Sequence, residues 1–591
     1  MSALAATGAR TCAEALMWPA QQARPAPCLQ ACAAGNDVRQ WIGLVAQRAI
    51  LGLSDLQAYA RAWRLITETN PFPATLGRIC PHPCEAACNR TAKDGAVRVN
   101  AMERFLGDWA LQHDLPLARL EGRAGGASVG VVGAGPAGLS FAYQLARRGH
   151  RVTIYEKREY AGGMLRHGIP AFRLPKSVLQ AEIDRIIKLG VELRLNSAVG
   201  QHVAVEELRK RHDVLFLGIG AGRAVALGVP GEDGPGVIAG IDFLDRVNRG
   251  EAMEAFQWIV VLGGGNTAVD AARAARRYGA QVTLLYRRTR AEMPAARSEV
   301  EAALSEGVTI EFLAAPMAIR RNASGPTAVV VQRMALDETD GSGRRSVVPV
   351  AGKTFEAPAQ MVITAVSQTA DWHGVEELEP RAAERRYSQP GVLAEPVLTG
   401  GDVLRPGIAA AAIAQGRQAA EALHATLTST VPSGTKAATS ETAPEVCADF
   451  YPACAPVHIP ERPVPERIRG TDLEVHETIS EAAFLREAGR CFSCGQCHGC
   501  QYCLMYCNVG SFTRPERGWP GAYFALSLER CMGCGKCIEL CPTGFLSASR
   551  ERLLPGHSEL IADRPGETLS EAIMNRGLPI PRFSSVTTER P

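Results

Sequence analysis

The sequence predicts an α/β multidomain protein: a helical segment first, then two Rossmann-like units nested one inside the other, then a small cysteine-rich α+β unit. Three observations carry that prediction. A strand–turn–helix–strand pattern with Gly133, Gly135 and Gly138 lies in ASVGVVGAGPAGLSFAYQLARRGHRVTIYEK, and a second with Gly263, Gly265 and Ala268 lies in WIVVLGGGNTAVDAARAARRYGAQVTLLYRR. Two runs of regularly spaced cysteines stand near the C-terminus. At 591 residues the chain is too long for one compact domain and is long enough for three or four.

The composition is that of an ordinary core-forming chain, 46% hydrophobic and 21% charged. A net charge of +3 gives no electrostatic case for nucleic acid or an anionic membrane. No apolar run approaches the roughly 20 residues needed to span a bilayer. The start MSALAATGARTCAEALMW lacks the charged beginning and compact apolar stretch of a signal peptide, so a cytoplasmic chain is expected. In that reducing compartment the 18 cysteines, many of them clustered, read as metal ligands or redox groups rather than disulfides.

In the first segment, VRQWIGLVAQRAILGL and LQAYARAWRLITE repeat apolar residues every three to four positions, which predicts helices and a helical domain over 1–125. GRAGGAS, at 122–128, separates it from the first strand. The stretch ATLTSTVPSGTKAATSETAPEV and the proline-rich residues after it predict an extended linker over 426–480. The cysteine-rich unit then occupies 481–555 and a tail 556–591, and no internal repeat is present.

In the first glycine-rich run, Gly133 permits the tight turn, Gly135 lets a pyrophosphate approach the backbone, and Gly138 lets helix and strand pack closely. The helix that starts at Pro136 offers free N–H groups from Ala137 onward and a positive dipole end to phosphates. Glu156, at the end of the next strand, is placed for a ribose hydroxyl. In the second run Gly263 and Gly265 keep their roles, Ala268 takes the third, and Asn266 and Thr267 open the helix. The position equivalent to Glu156 is Tyr286, followed by Arg287 and Arg288. Guanidinium groups there suit a 2′-phosphate and predict a preference for NADPH over NADH; a solvated surface pair is the other reading.

Two dinucleotide folds in one chain predict an FAD site and an NAD(P)H site with hydride passing between them. The expected boundaries are 126–240 for the first part of the FAD domain, 241–355 for the NAD(P)H domain, and 356–425 for the second part of the FAD domain. In VLTGGDVLRPGIAAAAIAQGRQAAEAL, Gly400, Gly401 and Asp402 end a strand before a small-residue helix. That puts Asp402 near a flavin ribityl chain, or makes it a helix cap. No cysteine pair follows the first glycine run, so the redox disulfide of a pyridine nucleotide disulfide reductase is not expected.

Cys531, Cys534, Cys537 and Cys541, followed by Pro542, give CxxCxxCxxxCP, and Cys497, Cys500, Cys503 and Cys507 repeat the spacing. In two-cluster ferredoxins the fourth cysteine of each run serves the other cluster. Cys497, Cys500, Cys503 and Cys541 are therefore expected on one [4Fe–4S] cluster, and Cys531, Cys534, Cys537 and Cys507 on the other. Toward the N-terminus, Cys28, Cys32, Cys80, Cys84 and Cys88 suffice for one further cluster, with zinc or free thiols as alternatives. Cys491 and Cys494 are left over. They read as spare thiols at the domain entrance, or as part of a further site with Cys447 and Cys454.

The segments NPFPATLGRICPHPCEAAC, the first glycine-rich run, AGGMLRHGIPAFRLP, GGGNTAVDAAR, YRRTRAEMPA and GGDVLRPG, in this order, resemble the glutamate synthase small-subunit family of iron–sulfur flavoproteins. That family includes the corresponding portion of dihydropyrimidine dehydrogenase and the large subunit of NADPH:ferredoxin transhydrogenases. The resemblance covers roughly residues 25–425. It implies a helical iron–sulfur N-terminal domain, nested FAD and NAD(P) domains, and Gly162, Gly163, Met164, Leu165 and Arg166 along the FAD. It also implies that Cys32, Cys80 and Cys84 share a cluster with Glu103 in the place of a non-cysteine ligand, which leaves Cys28 and Cys88 over. Where the family has a CxxC before the first pair, this chain has only Cys12. Ala365-Val366-Ser367-Gln368 carries serine at the family's glycine position.

The expected function is a change of electron number, from hydride through a flavin to one-electron clusters, with no acid, base or nucleophile needed from a side chain. The chain thus reads as the electron-transfer subunit of a hetero-oligomeric complex, exchanging electrons between NAD(P)H and a ferredoxin or ferredoxin-dependent partner enzyme, with the ferredoxin-type unit on a flexible tether. The glutamate synthase small subunit and a non-catalytic iron–sulfur scaffold are the other readings.

Overall fold

Ser128–Val132 is buried along nearly its whole length, as a strand at the centre of a parallel sheet must be. In the computed structural model of the chain, which describes residues 17–120, 126–339, 345–376, 397–428, 445–515 and 521–549, this strand anchors a five-stranded parallel sheet. The order is Val397–Thr399, Val214–Leu217, Ser128–Val132, Arg151–Tyr155, Glu192–Arg194. The strand Val397–Thr399 joins only after an entire second unit has intervened, so the nesting expected from sequence is present.

The second unit is a parallel sheet in the order Thr309–Phe312, Gln281–Tyr286, Trp258–Leu262, Met361–Thr364, Val237–Ala239. Val237–Ala239 and Met361–Thr364 fall outside the expected 241–355, so this unit is wider than sequence placed it. Neither short strand carries a glycine fingerprint, and only its pairing assigns it. An antiparallel sheet of Ala314–Asn322, Gly325–Thr339 and Arg345–Pro358 packs against it through Ile319, Val329 and Val331. Arg223–Ala224 pairs with Gln368–Thr369 where the chain passes from one unit to the other and back.

Both helices read in the first segment form, as Val38–Ala46 and Asp55–Thr69. Ser54 and Gln57 close a capping box at the start of the second. The helices Pro73–Ile79 and Val99–Gln112 cross so closely that a Cβ on Gly77 would stand 2.4 Å from the Arg104 backbone nitrogen. Glu182, fully buried on the FAD-side helix Lys176–Ile187, accepts from the Ala74 and Thr75 N–H groups at 2.7 and 2.9 Å. It thereby fixes the start of the helix that ends at Cys80.

Two expectations are corrected. Residues 445–480 are not a free linker; only 429–444 of that stretch lie outside the described residues. Residues 445–480 form a strap that buries Val457, Val475 and Ile479 and pairs Glu474 with Arg78 and Arg467 with Glu306. Apolar side chains sparsely set among prolines were enough to tie the strap down. The ferredoxin-type unit is likewise docked rather than tethered. Trp18–Gln21 pairs antiparallel with Leu546–Ser549, which joins the first and last of the described strands. The helix Glu481–Gly489 sets Phe484 against Phe105, stacked with ring centroids 4.3 Å apart, and against Tyr59 at 5.3 Å. Cys12 and the expected tail 556–591 lie outside the described residues. Among the described residues no helix is long and apolar enough to cross a membrane.

Candidate functional site

Both glycine-rich turns open into one cavity of about 1650 Å³ between the two Rossmann-like units. Its wall includes Gly133, Gly135, Pro136, Ala137, Glu156, Gly163, Met164 and Leu165 from the first unit, and Gly263, Gly265, Asn266 and Thr267 from the second. Gly401, Asp402 and the residues Ala365 to Gln368 face it as well. Gly138 and Ala268 do not line it. A Cβ on Gly138 would stand 2.1 Å from the Gly133 carbonyl oxygen, so that glycine serves packing. A Cβ on Gly265 would meet nothing within 4 Å, and one on Gly135 would stand 4.0 Å from its nearest neighbours. Packing does not demand glycine at these two positions. A pyrophosphate lying on the backbone does, and in each case the next residue starts a helix whose N–H groups face the space. The residues present therefore fit a dinucleotide at each turn.

The Glu156 carboxylate is 7% exposed and accepts from Ala134 N–H at 2.8 Å and Arg158 N–H at 3.0 Å. That holds it rigidly at the cavity wall, with acceptor capacity left for a ribose hydroxyl. The arginine pair divides. Both line the cavity, Arg287 exposed and Arg288 buried, and Arg288 donates Nε to the Arg345 carbonyl oxygen at 2.7 Å. Arg166 turns away from the cavity: its Nε donates to the Ala161 carbonyl oxygen, and its guanidinium reaches Gln180 and stacks on Tyr160. Asp402 accepts from Gly407 N–H at 3.0 Å, bracing the loop before the helix Ala409–Thr428; burial pushes its carboxyl up. Sequence reasoning did not find His167. Its Nδ1 meets Asp245 Oδ1 at 2.7 Å on the cavity wall, and its Nε2 is buried without a hydrogen-bond partner.

Ile79 and Cys80 also line the cavity, so the helical segment reaches the flavin side directly. The structure brings together Cys32, Cys80, Cys84 and Glu103. Burial pushes the Cys80 thiol up to about 12, with negative charge on Glu103 next in effect, and burial followed by charge on Cys32 pushes Cys84 higher still. Glu103 is held by the Asn70 amide at 2.9 Å.

In the C-terminal unit Cys541 lies near Cys503 and Cys507 near Cys537, the proximity that the expected crossing of the two sets requires. Burial and then charge on Cys497, Cys500 and Cys541 push Cys503 up to about 12; burial and then charge on Cys531, Cys534 and Cys507 do the same to Cys537. Backbone N–H groups point at sulfur throughout: Asn36 to Cys32, His82 to Cys80, Ser511 to Cys507 and Gly533 to Cys531, all at 3.3–3.4 Å. Such donors favour thiolates bound to iron. Among the described residues no three His, Cys, Asp or Glu side chains come close enough to hold a single metal ion.

The comparisons agree with this geometry. Residues 127–416 match the family described as pyridine nucleotide-disulphide oxidoreductase, though that stretch contains no cysteine. Residues 7–115 match dihydropyrimidine dehydrogenase domain II, 4Fe–4S cluster, and residues 490–545 match the 4Fe–4S dicluster domain. The chain is 38% identical over 433 residues to the NADP(+)-dependent formate dehydrogenase subunit beta of Moorella thermoacetica, an alignment spanning 67% of this chain and 59% of that protein. It is 38% identical to the NADPH-Fe(3+) oxidoreductase subunit beta of Geobacter sulfurreducens over 58% of this chain and 51% of that protein. It is 33% identical to the glutamate synthase [NADPH] small chain of Escherichia coli over 67% of this chain and 87% of that protein. The chain thus spans between half and three-fifths of the length of the first two relatives.

Proposed function

The chain belongs to the glutamate synthase small-subunit-like family of FAD- and NAD(P)H-dependent iron–sulfur oxidoreductases, and from that premise we propose that it is the electron-transfer subunit of a larger enzyme, exchanging electrons between NADPH and a one-electron protein partner. The observation that carries the reading is the single cavity that joins both glycine turns and has Cys80 in its wall. FAD, bound there, supplies the conversion of a two-electron hydride into single electrons.

The chain's own residues bind, orient and insulate. Gly133, Gly135 and the helix start at Pro136 hold one pyrophosphate, and Glu156 takes its ribose. Gly263, Gly265, Asn266 and Thr267 hold the other, with Arg287 on the 2′-phosphate. Gly163, Met164 and Leu165 line the wall between the two turns. No side chain is required to donate or accept a proton in the hydride step, and none is assigned as catalytic. The outer end of the cysteine row is exposed at Cys534, with Met505, Tyr506 and Met532 exposed around that unit, which suits contact with a protein acceptor. A ferredoxin or ferredoxin-dependent enzyme fits those requirements.

Purified holo-chain, full in FAD and iron, should reduce ferredoxin or viologen dyes with NADPH, and failure to do so contradicts the reading. The coverage of the glutamate synthase small chain keeps that activity as a second reading. Glutamine-dependent glutamate formation on adding a large subunit decides for it. An iron–sulfur scaffold would show no flavin bleaching by NADPH at all.

A further inference from the structure

Cys491 and Cys494, left over by the ferredoxin spacing, are not at an edge of the molecule. Their loop is clamped between the two N-terminal segments that carry Cys28 and Cys88. On one side, Arg39 Nη1 donates to the carbonyl oxygens of both Arg24 and Cys494, the latter at 2.7 Å, and Arg24 N–H donates to Gly495 O at 3.0 Å. On the other, the Asn89 side-chain amide reaches Cys494 Sγ at 3.5 Å from the residue next to Cys88. Arg90 donates to the Arg490 carbonyl and lies over the Phe492 ring at 4.9 Å, while Arg490 binds Asp94 at 2.9 Å and the carbonyl oxygens of Gly95 and Ala96. Cys28, Cys88 and Cys491 pack on one apolar core with Phe484 and Ala488.

The N-terminal spacing explains why two thiols there await partners. The short helices Pro27–Ala31 and Pro83–Ala86 lie against each other; Cys28 and Cys84 sit in them, and Cys32 and Cys88, each four residues on, sit just past their ends. Cys32 and Cys84 face Cys80 and Glu103. Cys28 and Cys88 face the Cys491 loop. Burial pushes Cys491 up to about 12, with charge on Cys494 and then Cys88 adding to it, and burial followed by charge on Cys491 pushes Cys28 up. Ser493 N–H points at Cys491 Sγ at 3.4 Å, the same backbone-to-sulfur contact seen at the other cysteine sets. Cys447 and Cys454 do not join this group. Cys447 is exposed, and the Cys454 thiol faces the Ala455 carbonyl.

We propose that Cys28, Cys88, Cys491 and Cys494 form a fourth [4Fe–4S] site, in which the C-terminal CxxC supplies two ligands to an N-terminal cluster and so joins the helical domain to the ferredoxin-type unit. The site stands between the set that reaches the cavity at Cys80 and the set Cys497, Cys500, Cys503 and Cys541. Tyr451 marks the junction: its buried hydroxyl donates to the Phe492 carbonyl at 2.7 Å, and charge on Cys491, Cys494, Cys500 and Cys541 bears on it together after the effect of burial. Four sets thus form an unbroken row from the flavin side to the surface.

The inference rests on the cluster reading above, and iron content separates the two. Anaerobically purified or reconstituted full chain should hold about 16 irons and matching acid-labile sulfide, four clusters of four. About 12 overturns this proposal alone; none overturns the cluster reading itself. Cys491→Ser/Cys494→Ser should lose about four irons, Cys28→Ser/Cys88→Ser about four, and the combination of all four substitutions still about four, because one cluster is removed each time. Unchanged iron in the first variant, or about eight lost in the combination, contradicts the assignment. Retained FAD shows that each variant has folded. Should a variant lose FAD, cysteine alkylation of the unaltered holo-chain decides. Cys28, Cys88, Cys491 and Cys494 should become reactive together when the clusters are oxidatively bleached, with Cys447 reactive before; labelling of Cys491 or Cys494 in the intact holo-chain overturns the site.

Discussion

In the two Rossmann-like units, the cavity-wall groups that fit a dinucleotide come from a local pattern: a glycine turn, the helix after it, and the end of the next strand. In the cysteine region the opposite holds. Cys28 meets Cys491, Trp18–Gln21 pairs with Leu546–Ser549, and Cys541 lies near Cys497. A nucleotide needs a preformed crevice, which one supersecondary motif can build, because the helix N-terminus and strand end are fixed relative to each other by the fold. A row of clusters needs ligands on several elements at once, and drawing them from distant segments turns each cluster into a clasp between domains. The two regions should therefore respond differently to mutation: locally in the cavity, globally along the row.

The largest effect tests whether they are separable. Cys80→Ser/Cys84→Ser removes the set beside the cavity and should take NADPH-driven dye or ferredoxin reduction to background, while NADPH still bleaches the flavin. Loss of bleaching as well would show that the regions are not separable.

Within the second unit, Arg287→Ala should raise KM for NADPH roughly 10- to 100-fold, as expected for losing a charged hydrogen bond of about 1.5–3 kcal/mol, with kcat little changed and NADH unaffected. Arg288→Ala should raise KM less than Arg287→Ala does, because its Nε is already donated to the Arg345 carbonyl oxygen, and should lower stability by about 1 kcal/mol as well. Steady-state kinetics with both nucleotides, plus melting curves, read this directly. Equal effects on KM would return the pair to a shared phosphate clamp.

Gly265→Ala puts a methyl group into open cavity, so folding and FAD content should be intact while NADPH binding weakens by about tenfold, measured by fluorescence titration. A folding defect would mean that packing, not the pyrophosphate, requires this glycine.

The smallest expected effect lies at the seam between the regions. Burial pushes Glu182 up to about 7, against the hydrogen bonds from Thr75 and Ala74 that pull it down. A carboxyl raised on folding stabilises most below its unfolded pKa, near 4.5, and that contribution fades as pH rises through about 7. Denaturant stability of the wild type should fall by at most about 1.4 kcal/mol per pH unit across that window. Glu182→Gln should flatten the dependence, and an unchanged slope would remove Glu182 as its source.

The sequence made the nucleotide units legible down to the individual glycines because each glycine role is a local steric fact. It did not separate Arg287 from Arg288, since which guanidinium is captured depends on Arg345, which lies on a different strand. The ferredoxin crossover is an expectation that spacing alone supplies, and the thiols lie close enough to allow it. The partners of Cys28 and Cys88 were not legible, because a four-residue spacing between cysteines does not say what faces them. The strap over 445–480 read as a linker because its few buried apolar residues follow no period. Nor did any local pattern foretell that Trp18–Gln21 would pair with Leu546–Ser549, more than 500 residues away.

Anaerobic titration of the holo-chain with NADPH, followed by flavin absorbance and iron–sulfur EPR together, tests the central claim most directly. The account predicts uptake beyond the one NADPH that FAD alone takes, approaching about three per chain if every cluster in the row fills, with cluster signals growing as the titration proceeds. Uptake that stops at about one NADPH, with bleached flavin and silent clusters, would contradict it.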